Sequence, residues 1–180
     1  MQKYQIDFDN KIVLCFYEGN AEKEILEMLL ENKKLKFTED DLYDKEFKER
    51  VSVKTVEKKY LSLSFDKPVI ILRVIDSKKE KFNLSKLYKN RFKEIYVCRT
   101  APEIEYLLIM YHHDEDIFNK ERSHSQIRAC QFCKKYYGYS KTATDEYFKK
   151  NLPIKELLEV LRKYDNIHSD EYTIYSLVKD

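Results

Sequence analysis

Three short runs set the limits on what this chain can fold into: residues 11–18 (KIVLCFYE), 68–76 (PVIILRVID) and 94–100 (EIYVCRT). Each is close to continuous in its β-branched and aromatic character, and each is followed by a stretch with helical spacing. Strands buried on both faces have this pattern, and their alternation with helices predicts an α/β fold: a mainly parallel, Rossmann-like sheet flanked by helices. Residues 4–8 instead alternate through Tyr4, Ile6 and Phe8, and are expected to pair as a hairpin through Asp9-Asn10.

The helical stretches carry start and stop signals. Asn20 is placed to cap a helix to about Asn32, with Ala21, Ile25, Met28 and Leu29 on one face. Residues 38–50 and 52–64 are expected to be helical, although the second has enough Val and Leu for a strand pair. A short helix is expected around Leu84, Leu87 and Tyr88. Thr100-Ala-Pro-Glu103 fits a capping box opening a helix to about His112. Ser123-His-Ser-Gln126 fits a second, whose helix stops at Gly138. Residues 153–163 form a last clear helix, and SDEYTIYSLVKD is ambiguous between states. Residues 1–115 thus form an α/β core and 116–180 a small helical C-terminal extension packed on it, within one domain overall.

Composition narrows the function classes. A chain of 180 residues can bury a full core, and its net charge of +2 leaves any basic surface to be local. No segment reaches the roughly 18–20 apolar residues of a membrane span, and MQKYQIDFDN lacks the apolar stretch of a signal peptide. Cys15, Cys98, Cys130 and Cys133 sit in apolar or helical patterns rather than at disulfide-scaffold density. A cytoplasmic, reduced protein is expected. With two glycines in the chain, neither GxGxxG nor GxxxxGK[ST] occurs, which excludes dinucleotide and P-loop chemistry in their usual forms.

One of those glycines follows Glu18 at the end of the first run. In a parallel sheet, side chains gather over the C-terminal ends of the strands, where ligands bind. Two of the three runs end on a carboxylate, Glu18 and Asp76, and the third leads into Glu103 and Glu105. Converging carboxylates suit a hard cation, Mg²⁺ or Mn²⁺. Gly19 is expected to turn the backbone sharply and leave room for an anion, which the free donors of the helix at Asn20 would help hold. The chemistry implied is metal-assisted attack on a phosphodiester. The competing reading is that charged residues sit at strand ends because the chain meets water there.

Glu18-Gly19-Asn20-Ala21-Glu22, after a hydrophobic strand and opening a helix, resembles the first motif of TOPRIM domains, the Mg²⁺-binding modules of primases, topoisomerases and the OLD and RloB-like bacterial defence proteins. Asp76 falls where such domains place the first acid of an Asp-x-Asp motif. Pro102-Glu-Ile-Glu105-Tyr-Leu-Leu-Ile looks like the RloB-type stretch Pro-x-Phe-Glu-x-Trp-Leu-Leu. The resemblance covers about residues 10–113. It implies Glu18 as a metal-linked acid/base, Asp76 and Glu105 as further catalytic or metal-binding acids, and Glu22 as a supporting acid. It also implies a nucleic-acid substrate, and an ATPase or other protein partner. The second Asp of the motif is replaced by Lys78. Glu80 would then substitute as ligand, or Lys78 would bind substrate phosphate as a point charge. Two alternatives stand beside a nuclease: an adaptor subunit with an impaired metal site, and a phosphohydrolase or phosphotransferase using Asp76 as nucleophile.

Three other clusters draw notice. Cys130-x-x-Cys133 lies in line with Ile127 and Tyr137 and is expected to be a core stripe, since no further Cys pair completes a zinc site. His112, seven residues after Glu105, shares its helix face and is a candidate to reach the site. Lys134, Lys135, Tyr136 and Lys141 interleave charge with aromatic rings, the combination that contacts phosphates and unpaired bases.

Overall fold

The computed structural model describes residues 5–77, 82–140 and 146–179. Its centre is a four-stranded sheet built from β1 (Ile12–Tyr17), β2 (Lys48–Glu49), β3 (Val69–Ile75) and β4 (Ile95–Arg99), in the order β2-β1-β3-β4 with every pair parallel. The three sequence runs are β1, β3 and β4. All seven residues of β3 are buried, which is why that run shows no alternation.

The two faces of the sheet are covered differently. On one, Val13, Cys15, Ile70, Leu72, Val74 and Cys98 pack beneath α1 (Asn20–Glu31), α4 (Tyr106–Tyr111) and most of the C-terminal third of the chain. That third comprises α5 (Glu115–Ser125), α6 (Ala129–Tyr137), α7 (Tyr147–Asn151) and α8 (Ile154–Ile167). Phe118, Phe132, Phe148, Leu157 and Leu161 belong to the same buried cluster as the sheet residues, so residues after 115 complete the core of the fold. On the other face, Leu14, Phe16, Val69 and Ile71 pack beneath a helical turn and α3 (Lys86–Arg91). That turn starts as α2 (Val53–Val56), capped by the Ser52 hydroxyl, and widens into a π-helix at Glu57–Leu61.

Several expectations are corrected. Residues 38–50 form two 3₁₀ turns and β2. Thr38 and Asp41 close the first turn on themselves, and the positive φ of Asp44 and Lys45 stops helix propagation. Thr100 and Glu103 form no capping box, because tertiary partners take both side chains and α4 starts only at Tyr106. Ser123–Gln126 opens no helix: it ends α5, with Gln126 in the left-handed region, while Arg128 and Gln131 open α6. Gly138 does end α6 at φ 66°. Residues 5–8 form no strand, although Ile6 and Phe8 are buried. The C-terminal stretch lies along β4 through a Cys98–Tyr172 bridge and meets Leu35 through Val178. Among the described residues no helix is long and apolar enough to cross a membrane.

Candidate functional site

Four residues stand one position beyond the four strands. Across the C-terminal edge of the sheet they are Arg50, Glu18, Asp76 and Thr100, after β2, β1, β3 and β4. The parallel register pairs Glu49 with Tyr17, Tyr17 with Val74 and Ile75 with Arg99, so Arg50 follows level with Glu18, and Asp76 and Thr100 follow level with each other one residue further along the same edge. Hydrogen bonds run along that rim. Arg50 Nη1 donates to Glu18 Oε1 at 2.6 Å, and the Asp76 backbone N–H donates to Glu18 Oε2 at 2.8 Å. Both oxygens of Glu18 are therefore engaged, one by a charge and one by the neighbouring strand end.

Above the rim lies a cleft of about 270 Å³ lined by Glu18, Gly19, Glu22, Asp76, Glu105 and Tyr139, among others. Glu22 stands in the first turn of α1 and is only 6% exposed; Glu105, just ahead of α4, is 1% exposed. Glu22 Oε1 accepts from Thr100 Oγ1 at 3.2 Å. Burial, reinforced by the charges of Glu105 and Asp76, pushes the Glu22 carboxyl up to about 7. Tyr139 hydrogen-bonds to Glu105, and burial followed by that neighbouring charge raises its hydroxyl, so the phenol stays protonated and donates. This tyrosine comes from beyond α6, in the stretch the TOPRIM resemblance does not reach.

The glycine has a different reason from the one expected. Gly19 precedes α1 with φ −145° and ψ 175°, extended backbone open to any residue. Asn20 is the first residue of the helix rather than its cap. What Gly19 provides is space, since a Cβ there would lie 3.2 Å from Glu22 Oε2. The room goes to the second acid of the motif.

The acids are thus brought to one cleft, and their oxygens suit a hard divalent cation in kind. Among the described residues, though, no three His, Cys, Asp or Glu side chains stand in a ready-made metal-binding group. Glu103 is drawn away from the cleft's acids: its carboxylate accepts from the Arg128 guanidinium and, at 2.8 Å, from the Cys130 backbone N–H. Arg128 lies within electrostatic range of Asp76 and Cys130.

No protein-family profile, curated protein or solved structure matches this chain.

The remaining candidates lie elsewhere. His112 is exposed at the end of α4, with its ring 4.2 Å from that of Tyr137, and it does not line the cleft. Asp114, Glu115 and Asp116 start α5, where acids favour the helix dipole. Lys135 Nζ is held by Glu121 at 2.8 Å, the Tyr136 hydroxyl donates to the same carboxylate, and Lys134 is exposed. Cys133 is buried with its thiol on the Glu105 carbonyl at 3.4 Å, whereas Cys130 is partly exposed in the first turn of α6; all four cysteines are free. Lys78, Glu80 and Lys141 lie outside the described residues. Sequence reasoning missed Arg50, Thr100 and Tyr139 as parts of the rim and cleft. Only Thr100 carried a signal, its position after a strand, and that was absorbed into the capping box.

Proposed function

We propose that this cleft binds a divalent cation, Mg²⁺ or Mn²⁺, and with it cleaves or handles nucleic-acid phosphodiesters, as the TOPRIM resemblance implies. The observation that carries the reading is the meeting of Glu18, Glu22, Asp76 and Glu105 on one cleft over a parallel sheet edge, with two of them buried. Buried carboxylates repel one another, and Glu22 relieves that repulsion by holding its proton to about pH 7; a cation relieves it without the proton. Asp76, Glu105 and Glu22 would hold the ion, with Glu105 oriented by Tyr139 and Glu22 by Thr100. When bound, the ion supplies Lewis-acid stabilisation of the phosphate oxygens. Glu18 Oε1, at the rim, would accept the proton of the attacking group once Arg50 turns from it to the substrate phosphate. The setting in a bacterial defence or mobile-element system, with an ATPase partner, rests on the resemblance alone.

Two observations favour the adaptor reading: Glu18 is tied at both oxygens, and no three acids form a ready-made cation group among the described residues. Calorimetric titration with Mg²⁺ and Mn²⁺, wild type against a Glu18→Gln, Asp76→Asn double variant, separates the two. Binding near millimolar or tighter that disappears in the variant, together with metal-dependent cleavage of a nucleic acid, supports the cleft as an active site. Equal binding in both proteins, or none in either, assigns the fold to an adaptor.

A further inference from the structure

The overall charge of +2 conceals a strong division. Between residues 50 and 93 the sequence carries thirteen basic and four acidic side chains, a net +9, and the remainder of the chain carries −7. Among the described residues this segment supplies β3 and the α2, π-helical and α3 pieces that cover one sheet face, beginning with Arg50 at the cleft rim. Lys54, Lys58 and Lys59 project from the first helical piece, and Lys86, Lys89 and Arg91 from α3; all six are exposed. The two pieces are fastened together, since Glu57 Oε1 accepts from the Ser85 backbone N–H at 2.5 Å and Arg91 Nη2 donates to the Leu63 carbonyl at 2.9 Å. The layer's one half-buried acid, Glu57, is thereby turned to a structural task.

What marks these cations is their number on one layer with few acids beside them, which leaves them without carboxylate partners. Lys23, Lys45, Lys48, Lys135 and Lys149 each sit on a carboxylate. None of the six on the basic layer forms an ion pair with a described residue. Like charges left together in this way cost stability through self-repulsion and repay it only when a polyanion arrives.

We infer that this layer is a docking surface for the phosphodiester backbone of a nucleic acid. The choice of partner rests on the proposed function, and a physical argument ties the two surfaces together. A cleft lined by four carboxylates repels a polyanion, so attraction must come from beside it. Arg50 joins the two, because it starts the basic layer and its guanidinium lies on Glu18. Leu63 and Leu87, 42% and 75% exposed, lie in the same layer. α3 is only six residues long, too short to lay a continuous apolar face into a lipid surface, which favours nucleic acid over a membrane.

The test is fluorescence anisotropy with labelled 20-mers of single-stranded DNA, single-stranded RNA and duplex DNA, on the full chain in EDTA at several salt concentrations. Binding is expected to at least one of the three and to weaken steeply with salt. A Lys58→Glu, Lys59→Glu, Lys89→Glu variant is expected to lose at least tenfold in affinity and to lower the log–log salt slope by about 2–3, as for three lost phosphate contacts. A Lys155→Glu, Arg162→Glu, Lys163→Glu variant on α8, with the same change in net charge, is expected to stay within twofold of wild type. Equal losses in the two variants, no binding by wild type, or preference for phosphatidylserine vesicles over all three oligonucleotides would overturn the inference. Because the assay excludes metal, its failure is distinct from failure of the cleft to bind a cation or to cleave.

Discussion

The carboxylate of Glu22 fills the space beside Gly19: a Cβ on residue 19 would come within 3.2 Å of Glu22 Oε2. The backbone of Gly19 is one that alanine adopts freely, so this contact decides what a substitution there does. Gly19→Ala gains about 0.4–1 kcal/mol from a less flexible unfolded chain and gives some of it back to the contact. Its melting temperature is expected to lie within about 3 °C of wild type. Displacement of Glu22 should nevertheless weaken cation binding several-fold, as read by calorimetry. A large melting loss would show that the space serves folding instead.

Glu22 makes the fold sensitive to pH. Its carboxyl rises from the ordinary 4.5 to about 7, so between those values the folded chain holds a proton that the unfolded chain has released. Stability present below about pH 4.5 is therefore lost as pH rises through 7, by an amount on the order of 3 kcal/mol at most. Glu22→Gln removes the dependence. Urea unfolding is expected to find the variant more stable than wild type at pH 8, with the difference shrinking toward pH 5. A difference that grows on acidification would contradict the assignment.

Arg50 and Glu18 form an ion pair at the rim, with side chains 37% and 21% exposed. A pair this open contributes about 0–1 kcal/mol. Arg50→Ala is expected to melt close to wild type yet to bind Mg²⁺ several-fold more tightly, because it removes a positive charge and releases Glu18 Oε1. Unchanged or weaker Mg²⁺ binding would show that neither the Arg50 charge nor Glu18 Oε1 acts on the cation site.

The shared core predicts cooperative unfolding. Phe118, Phe132, Phe148, Leu157 and Leu161 are each at most 1% exposed and pack in one cluster with β1 and β3. Each buried side chain of this kind contributes roughly 1.5–3 kcal/mol. A fragment of residues 1–115 is expected to remain unfolded by circular dichroism, and the full chain to show equal calorimetric and van't Hoff enthalpies. A fragment that folds alone would establish the later helices as an accessory unit.

Range along the chain separates the features legible in the sequence from those that were not. β1 and β3 were legible because strands covered on both faces carry their burial in their own composition, and β4, partly buried at the sheet edge, was legible from its β-branched and aromatic residues. The positions of Glu18 and Asp76 came with them, since each immediately succeeds such a strand. β2 was not legible: its two residues are fixed by pairing with Phe16 and Tyr17, more than thirty positions away in sequence. Thr100 and Glu103 were misassigned for the same reason, their local capping pattern being overridden by Glu22 and by the start of α6. Tyr139 gave no local sign at all. Its role depends on α6 returning across the sheet to Glu105.

The exposed edge of β4 is closed by Tyr172, whose carbonyl accepts from the Arg99 backbone N–H at 2.7 Å. On a ribosome, β4 leaves the exit tunnel well before Tyr172 is made. Throughout that interval β4 is outside the ribosome with no segment to close its outer edge, and an unpaired strand is the surface through which one chain recruits another. Aggregation during synthesis should therefore respond to substitutions near the C-terminus more strongly than the stability of the finished protein does.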